Sequence, residues 1–329
     1  MRRNRLDELI RRPQGVFAYG IFDAFSAKMA EKESCEAIYV GGYSAAATRG
    51  FPDMGLMTMT EMLEHTKYIA RFVKKPLMVD IDDGYGNVNN VKRTVKEFFS
   101  LPKVQIIHIE DQKYPKRCGH ILGKEIVPLD EFLGKLKAAI KTRDRIRPSG
   151  KVMARCDAFS AAGGNKDKHL GGDIEEVIKR LIAYADVGAD YLWCEFPSAS
   201  AEAAEAVSVG VRRVHPNAIF AFNDSPSFSE SDWEQSKITT KLLIELVYKI
   251  IFSTYPALQA SAKAVSDSAR DFRKDPIEAM KRLKRHVAGT KAESIMKIVE
   301  VDKYLAEERE YYPKGLENQS SSEGFGTVN

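Results

Sequence analysis

Cysteine is scarce: four residues in 329, at positions 35, 118, 156 and 194, with no close paired spacing. Cys35, Cys156 and Cys194 fall within or at the ends of expected strands, which argues against a disulfide framework or a zinc site and fits a reducing, cytoplasmic setting. One-sided charge is missing too. Fifty Lys plus Arg face 46 Asp plus Glu, a net charge of +4. With no basic stripe interleaved with aromatics, nucleic acid is not an expected partner. No apolar run approaches the roughly 20 residues that span a bilayer, so no membrane partner is expected. The opening MRRNRLDELIRR (1–12) carries Asp7 and Glu8 and precedes no apolar stretch. It reads as a solvated amphipathic helix rather than a targeting signal. No internal repeat is visible.

What the chain does contain is a core. Hydrophobic residues make up 44% and charged residues 29%, ordinary values for a globular protein. Eight short apolar runs recur: GVFAYGIFDA (15–24), AIYVGG (37–42), LMVDID (77–82), IIHIED (106–111), KVMARCDA (151–158), YLWCEF (191–196), AIFAFND (218–224) and KIIFST (249–254). Their near-continuous hydrophobicity fits parallel strands covered on both faces. Amphipathic segments lie between them at 60–73, 132–143 and 173–188; in the last, Ile174, Val177, Ile178, Leu181, Ile182 and Ala185 share one helical face. Eight strand–helix alternations predict an α/β fold, a (β/α)8 barrel of TIM type, over a doubly wound open sheet. The barrel is expected to be a catalytic domain over 1–274. Surplus helices over 275–312 are expected to pack on a neighbouring subunit or cap an end, and the polar tail 313–329 to be disordered.

A barrel of this type works at the C-terminal ends of its strands. There the third run offers Asp80 and Asp82, two apart and so on one face; the fourth Glu110 and Asp111; the fifth Arg155 and Asp157; the sixth Glu195; the seventh Asn223. A lone Asp at a strand end usually caps the next helix, a reading that covers Asp157 and Asp173. A ring of acids around one mouth is costly unless a cation sits among them, and oxygen ligands favour a hard ion such as Mg²⁺. The DGYG segment (83–86) would let the backbone turn tightly beside it.

The stretch KRCGH (116–120) follows the fourth run on a connection, 111–129, long enough to be a lid. Lys116, Arg117 and His120 form a cationic setting expected to lower the pKa of Cys118. Gly119 and Gly123 would supply hinge freedom. A zinc site is the poorer alternative, lacking a second thiol or histidine at ligand spacing. A cysteine with no role is the plain one.

The chain resembles the isocitrate lyase/phosphoenolpyruvate mutase superfamily over roughly 12–310, on GGYSAAA (41–47), FPDMGL (51–56), VDIDDGYGN and IEDQ. KRCGH with the following GK and VP (116–128) resembles the lyase branch. FNDSPSF (222–228), LWCEF (192–196) and YKIIFST (248–254) are similar to isocitrate lyase segments. The chain departs from those enzymes in its short length, in Gly41 and Tyr43 where they carry serine and tryptophan, and in Phe196 where they carry threonine.

The resemblance implies Mg²⁺-dependent retro-aldol cleavage of isocitrate, a 2-hydroxy tricarboxylate, to glyoxylate and succinate, with Mn²⁺ as an alternative ion. It implies Asp53, Asp80, Asp82 and Glu110 as metal ligands and Cys118 as the thiol that protonates the succinate fragment. Tyr43, His120 and Glu195 are further catalytic candidates. Substrate contacts fall to Gly42, Tyr43, Asp80, Gly119, His120, Arg155, Asn223, Ser225, Ser227 and Thr254. It also implies a homotetramer with C-terminal helices exchanged between neighbours. The rival activities are 2-methylisocitrate cleavage to pyruvate and succinate, and hydrolysis or decarboxylation of oxaloacetate. From another class, a barrel kept only as a scaffold is disfavoured by the intact acids and thiol loop.

Overall fold

A computed structural model describes residues 4–121, 123–162, 164, 172–228 and 234–311. The tail expected to be disordered lies outside the described residues. Eight parallel strands close into a barrel: β1 (Val16–Ile21), β2 (Ala37–Val40), β3 (Leu77–Asp80), β4 (Val104–Glu110), β5 (Lys151–Cys156), β6 (Tyr191–Cys194), β7 (Phe220–Asn223) and β8 (Tyr248–Ser253). Each lies within or overlaps one of the eight apolar runs. Closure comes from β1 pairing with β8, Val16 opposite Ile250 through Tyr19 opposite Ser253. That pairing rules out the open sheet.

The helices are α1 (Arg5–Ile10), α2 (Ala24–Lys32), α3 (Gly42–Ala47), α4 (Met59–Phe72), α5 (Val88–Ser100), α6 (Leu129–Ile146), α7 (Ile174–Asp186), α8 (Ala201–Arg212), α9 (Thr240–Glu245), α10 (Pro256–Lys274), α11 (Pro276–Val287), α12 (Ile295–Ile298) and α13 (Val301–Tyr311). α7 buries Ile174, Val177 and Leu181, with Ile178, Ile182 and Ala185 packed partly beside them. That is the face expected from its periodicity. Asp173 caps it, accepting a hydrogen bond from the Glu176 amide.

Two apolar cores follow from strand alternation. Ala37, Tyr39, Met78, Ile106, Met153, Tyr191, Trp193, Ala221, Ile250 and Phe252 point into the barrel. Ile38, Val79, Ile107, Val152, Leu192, Phe222 and Ile251 point out toward the helices. The N-terminal helix departs from the solvated reading. α1 turns Leu6, Leu9 and Ile10 onto the inner core, where they are buried. Burial of each such side chain stabilises by roughly 1.5–3 kcal/mol. Asn4 caps α1 and donates to the carbonyls of Gln105 and Ser149, fastening the plug to the barrel floor.

The C-terminal helices are unevenly placed. α10 and α11 pack on each other and leave Val265, Phe272, Ile277 and Met280 exposed, while Phe17 and Tyr19 of β1 are also exposed. α12 instead returns to α2 of the same chain and buries Ile298; Glu300 just beyond it pairs with Lys28. The four cysteines are free, and no helix among the described residues is long and apolar enough to cross a membrane.

Candidate active site

Alternation along the strands builds the site. On β4, Ile106 faces inward and Ile107 and Ile109 outward, so His108 and Glu110 share the inward face. The same parity turns Asp80, Arg155, Glu195 and Asn223 into the mouth after Met78, Met153, Trp193 and Ala221. All four side chains are buried. Cys156 and Cys194 fall on the outward parity and belong to the outer core.

One half of the mouth is an acidic cup. Asp80 accepts from the amides of Gly42 (3.0 Å) and Asp82 (2.9 Å). Asp82 lies beyond the strand, in a left-handed conformation with φ 49°. The turn, rather than strand alternation, brings it beside Asp80: a Cβ on Gly42 would lie 3.1 Å from Asp82 Oδ1 and 3.2 Å from Asp80 Oδ2. Gly84 (φ +87°) and Gly86 (φ +133°) shape the expected tight turn behind.

Lys116, not foreseen as a site residue, enters this cup. Its Nζ lies 2.6 Å from Asp53 Oδ1 and 2.8 Å from Asp82 Oδ1. Burial resists ionisation of Asp80, but His108, Lys116 and Arg155 hold its pKa below the usual carboxylate value. Burial, with the charges of Asp80 and Asp53, pushes Asp82 up to about 7 despite Lys116. Burial likewise pushes Glu110 well above its usual range, and both its carboxylate oxygens are buried without a hydrogen bond, 3.1 Å from Arg155 on one side.

The cup thus holds more carboxylate than the cations around it neutralise, and its donors are all oxygen. That chemistry fits a hard divalent ion. Among the described residues no three acidic, imidazole or thiol groups converge on one metal-holding point. The fit is therefore to an ion taking one or two carboxylates and keeping its waters, as Mg²⁺ commonly does.

The other half is a hydrogen-bonded cluster. Asn223 Nδ2 donates to Glu195 Oε1 at 3.1 Å, and His120 Nδ1 stands 3.6 Å from the same oxygen. Arg155 makes a two-pronged contact with Asp157 at 2.7 and 3.0 Å and lies 4.5 Å over the Trp193 ring. Asp157 is no helix cap: its carboxylate also takes Lys124 at 2.7 Å, both side chains fully buried. Asp111 is structural as well, pairing with Arg180 and Tyr184. His120 Nε2 and Asn223 Oδ1 remain buried without partners, pointing to polar groups held for a ligand.

Along the rim, Tyr43 stacks on Tyr255 at 4.4 Å, and Tyr255 shares a 2.7 Å hydrogen bond with Ser227. Ser225 is buried and its oxygen accepts from the Ser227 amide. Thr254 joins through its backbone, whose carbonyl accepts from Ser44.

The lid lies against both halves. Gln112 holds Arg117 at its amide and carbonyl, and Lys113 bonds Glu125 across the base. Gly119 is glycine for proximity rather than hinging: a Cβ there would lie 2.5 Å from Arg155 Nη2 and 2.6 Å from Glu195 Cγ. Gly123, at φ +79°, is the one that needs the left-handed region.

The expected low-pKa thiol is overturned. Burial raises Cys118 to about 11, with Asp53 and Glu195 adding to the effect. The surrounding cations do not act as anticipated because Lys116 is held by carboxylates, Arg117 is exposed and burial keeps His120 below its usual pKa. Tyr43 too is raised by burial, so it stays a phenol.

Sequence reasoning missed Lys116, Lys124 and Tyr255. Their roles depend on carboxylates and rings distant in sequence. Lys116 gave a signal in its place beside Cys118 and Lys124 in the GK of the lyase-like loop, whereas Tyr255 gave none.

The phosphoenolpyruvate phosphomutase family model matches residues 6–271. Isocitrate lyase of Haloferax volcanii is 35% identical over 97% of this chain and 90% of its own length. A 2-methylisocitrate lyase of Aeropyrum pernix is 31% identical over 81% of this chain and 78% of its own. The solved structure of an oxaloacetate acetylhydrolase with 3,3-difluorooxalacetate superposes at a TM-score of 0.75 and 25% identity, covering 93% of each chain.

Proposed function

This chain belongs to the phosphoenolpyruvate phosphomutase family, within the isocitrate lyase/phosphoenolpyruvate mutase superfamily, and is a carbon–carbon lyase; from that premise we propose that it cleaves isocitrate to glyoxylate and succinate. One observation carries the reading: the lid sets Cys118 between the acid cup, where its amide donates to the Asp53 carbonyl at 3.0 Å, and the Arg155–Glu195 cluster, against which the next residue, Gly119, is packed, and burial there pushes the thiol pKa up. Such a group is an acid, suited to protonating a carbanion equivalent.

Asp80, Asp82, Asp53 and Glu110 are the carboxylates that would hold Mg²⁺. When bound, the ion supplies Lewis acidity toward the hydroxyl and carboxylate of the glyoxylate half. Glu195, steadied by Asn223, is the base this geometry offers for the hydroxyl proton. As the carbon–carbon bond breaks, its electron pair passes into the succinate fragment as an enediolate, and the Cys118 proton quenches it. Arg155 and His120 face the charge that develops, where fixed donors act most strongly. Tyr43 and Ser227 line the rim as hydroxyl donors. The packed lid excludes water from the carbanion equivalent.

The exposed apolar faces of β1 and of α10–α11 support a homo-oligomer in which neighbouring copies cover them, in keeping with a tetramer.

A second reading, 2-methylisocitrate cleavage, is favoured by the Aeropyrum relative and by the departures at Tyr43 and Phe196. One methyl group discriminates by only about 1–3 kcal/mol. The deciding assay offers isocitrate, 2-methylisocitrate and oxaloacetate, each with and without Mg²⁺. Glyoxylate from isocitrate at the highest kcat/KM, abolished by EDTA, is the expected result. Preferred release of pyruvate, or oxalate from oxaloacetate, overturns it.

A further inference from the structure

Lys116 has no place in the proton transfers above, yet it is 4% exposed and sits deeper than the thiol two residues on. Burying an ammonium costs several kcal/mol unless carboxylates receive it. Here Asp53 and Asp82 do, at 2.6 and 2.8 Å. Asp53 also acts through its backbone, where its carbonyl accepts the Cys118 amide at 3.0 Å. A single residue of the α3–α4 connection thus grips the lid on both sides of Arg117, by carboxylate and by carbonyl. The neighbouring Gly55 leaves room for this approach: a Cβ there would lie 3.1 Å from the Lys116 nitrogen and 3.3 Å from its carbonyl oxygen.

We propose that Lys116 is a positioning residue: with Asp53 it latches the lid to the α3–α4 connection and so holds the Cys118 thiol over the acid cup. The inference deepens the lyase reading, since it concerns the thiol assigned there as proton donor, but the contacts do not depend on which acid is cleaved. The base of the lid is fastened separately, by the Lys113–Glu125 and Val127–Asp111 backbone bonds, while within the tip Gln112 holds Arg117 and Lys124 donates to the Gly119 carbonyl at 3.0 Å. The latch therefore governs only the tip. It also gives Asp53 a duty apart from the metal: its carboxylate is engaged by an ammonium before any ion is counted.

Hydrogen exchange on the full-length, metal-free protein tests the assignment. In Lys116→Met, which keeps the stem and removes the charge, peptides covering 117–121 should exchange at least tenfold faster than in the parent. Peptides over the lid base at 125–132 and over α6 should be unchanged. Asp53→Asn, which keeps the carbonyl but weakens the ammonium contact, should give a smaller acceleration confined to the same tip. Iodoacetamide labelling of Cys118, located by mass mapping, should rise in parallel in Lys116→Met.

Unchanged exchange at 117–121 in both variants overturns the latch. So does a rise spread evenly over tip and base, which would mark Lys116 as a general stability residue. If Lys116→Met does not fold, Asp53→Asn alone decides by the same criterion. Neither exchange nor labelling uses substrate, so a wrong substrate in the lyase assay leaves this result standing and separately readable.

Discussion

The two ends of this barrel handle polar groups in opposite ways. At the floor, α1 lays Leu6, Leu9 and Ile10 on the inner core, and the polar atoms of Asn4 and the Gln105 amide side chain find backbone partners. At the mouth, Asp80, Asp82, Glu110, Lys116, Arg155 and Glu195 are all buried, and Glu110, His120 and Asn223 keep atoms without hydrogen bonds. Unmet buried polar atoms are destabilising by about 1–3 kcal/mol each. A fold tolerates them where a ligand will complete them. One end contributes stability and the other holds the chemistry in reserve.

Cys118→Ser should divide the two ends most sharply. Turnover should fall roughly 10²–10⁴-fold, the range for losing a positioned acid, while the melting temperature stays within a degree or two. Wild-type turnover would remove the thiol from the mechanism.

A smaller effect tests the electrostatics of the mouth. With its pKa raised from 9 to about 11, Cys118 is mostly neutral thiol through neutral and mildly alkaline pH. Its alkylation at pH 8 should be about a hundredfold slower than that of an ordinary thiol, because the thiolate fraction falls tenfold for every step of one in pH below the pKa. The rate should climb until about pH 11. A rate that levels off near pH 7 would mean the surrounding cations prevail after all.

Smallest is the floor. Asn4→Ala removes a helix cap and two backbone contacts, which should lower stability by about 1–2 kcal/mol on denaturant titration. Turnover should not change. A variant that loses activity without losing stability would break the division between the ends.

Much of the barrel was legible beforehand because its cause is local. Eight apolar runs each became a strand, and the polar residues near their ends, Asp80, Glu110, Arg155, Glu195 and Asn223, reached the mouth by two-residue alternation. The Ile174–Ala185 stripe became the packed face of α7 for the same reason. Asp157 and Asp173 show the limit. Both could be read as caps; Asp173 is one, whereas Asp157 binds Arg155 and Lys124. Arg155, two residues before Asp157, is the local half of that difference, but Lys124 arrives from a loop after another strand.

The thiol shows it again. Three basic side chains around Cys118 pointed to a lowered pKa, but burial and the carboxylates of Asp53 and Glu195, from other parts of the chain, raise it. The exposed Phe17 and Tyr19 could not be foreseen either, since a strand's own residues do not say whether a helix will cover it.

The amino-acid order alone determined the alternation of strands and helices and which face of each strand is polar, since both are properties of neighbours along the chain. The tertiary structure decided which acids meet Lys116, whether a thiol is neutral and how the lid tip is held. These are set by burial and by charges that become close only when the barrel shuts.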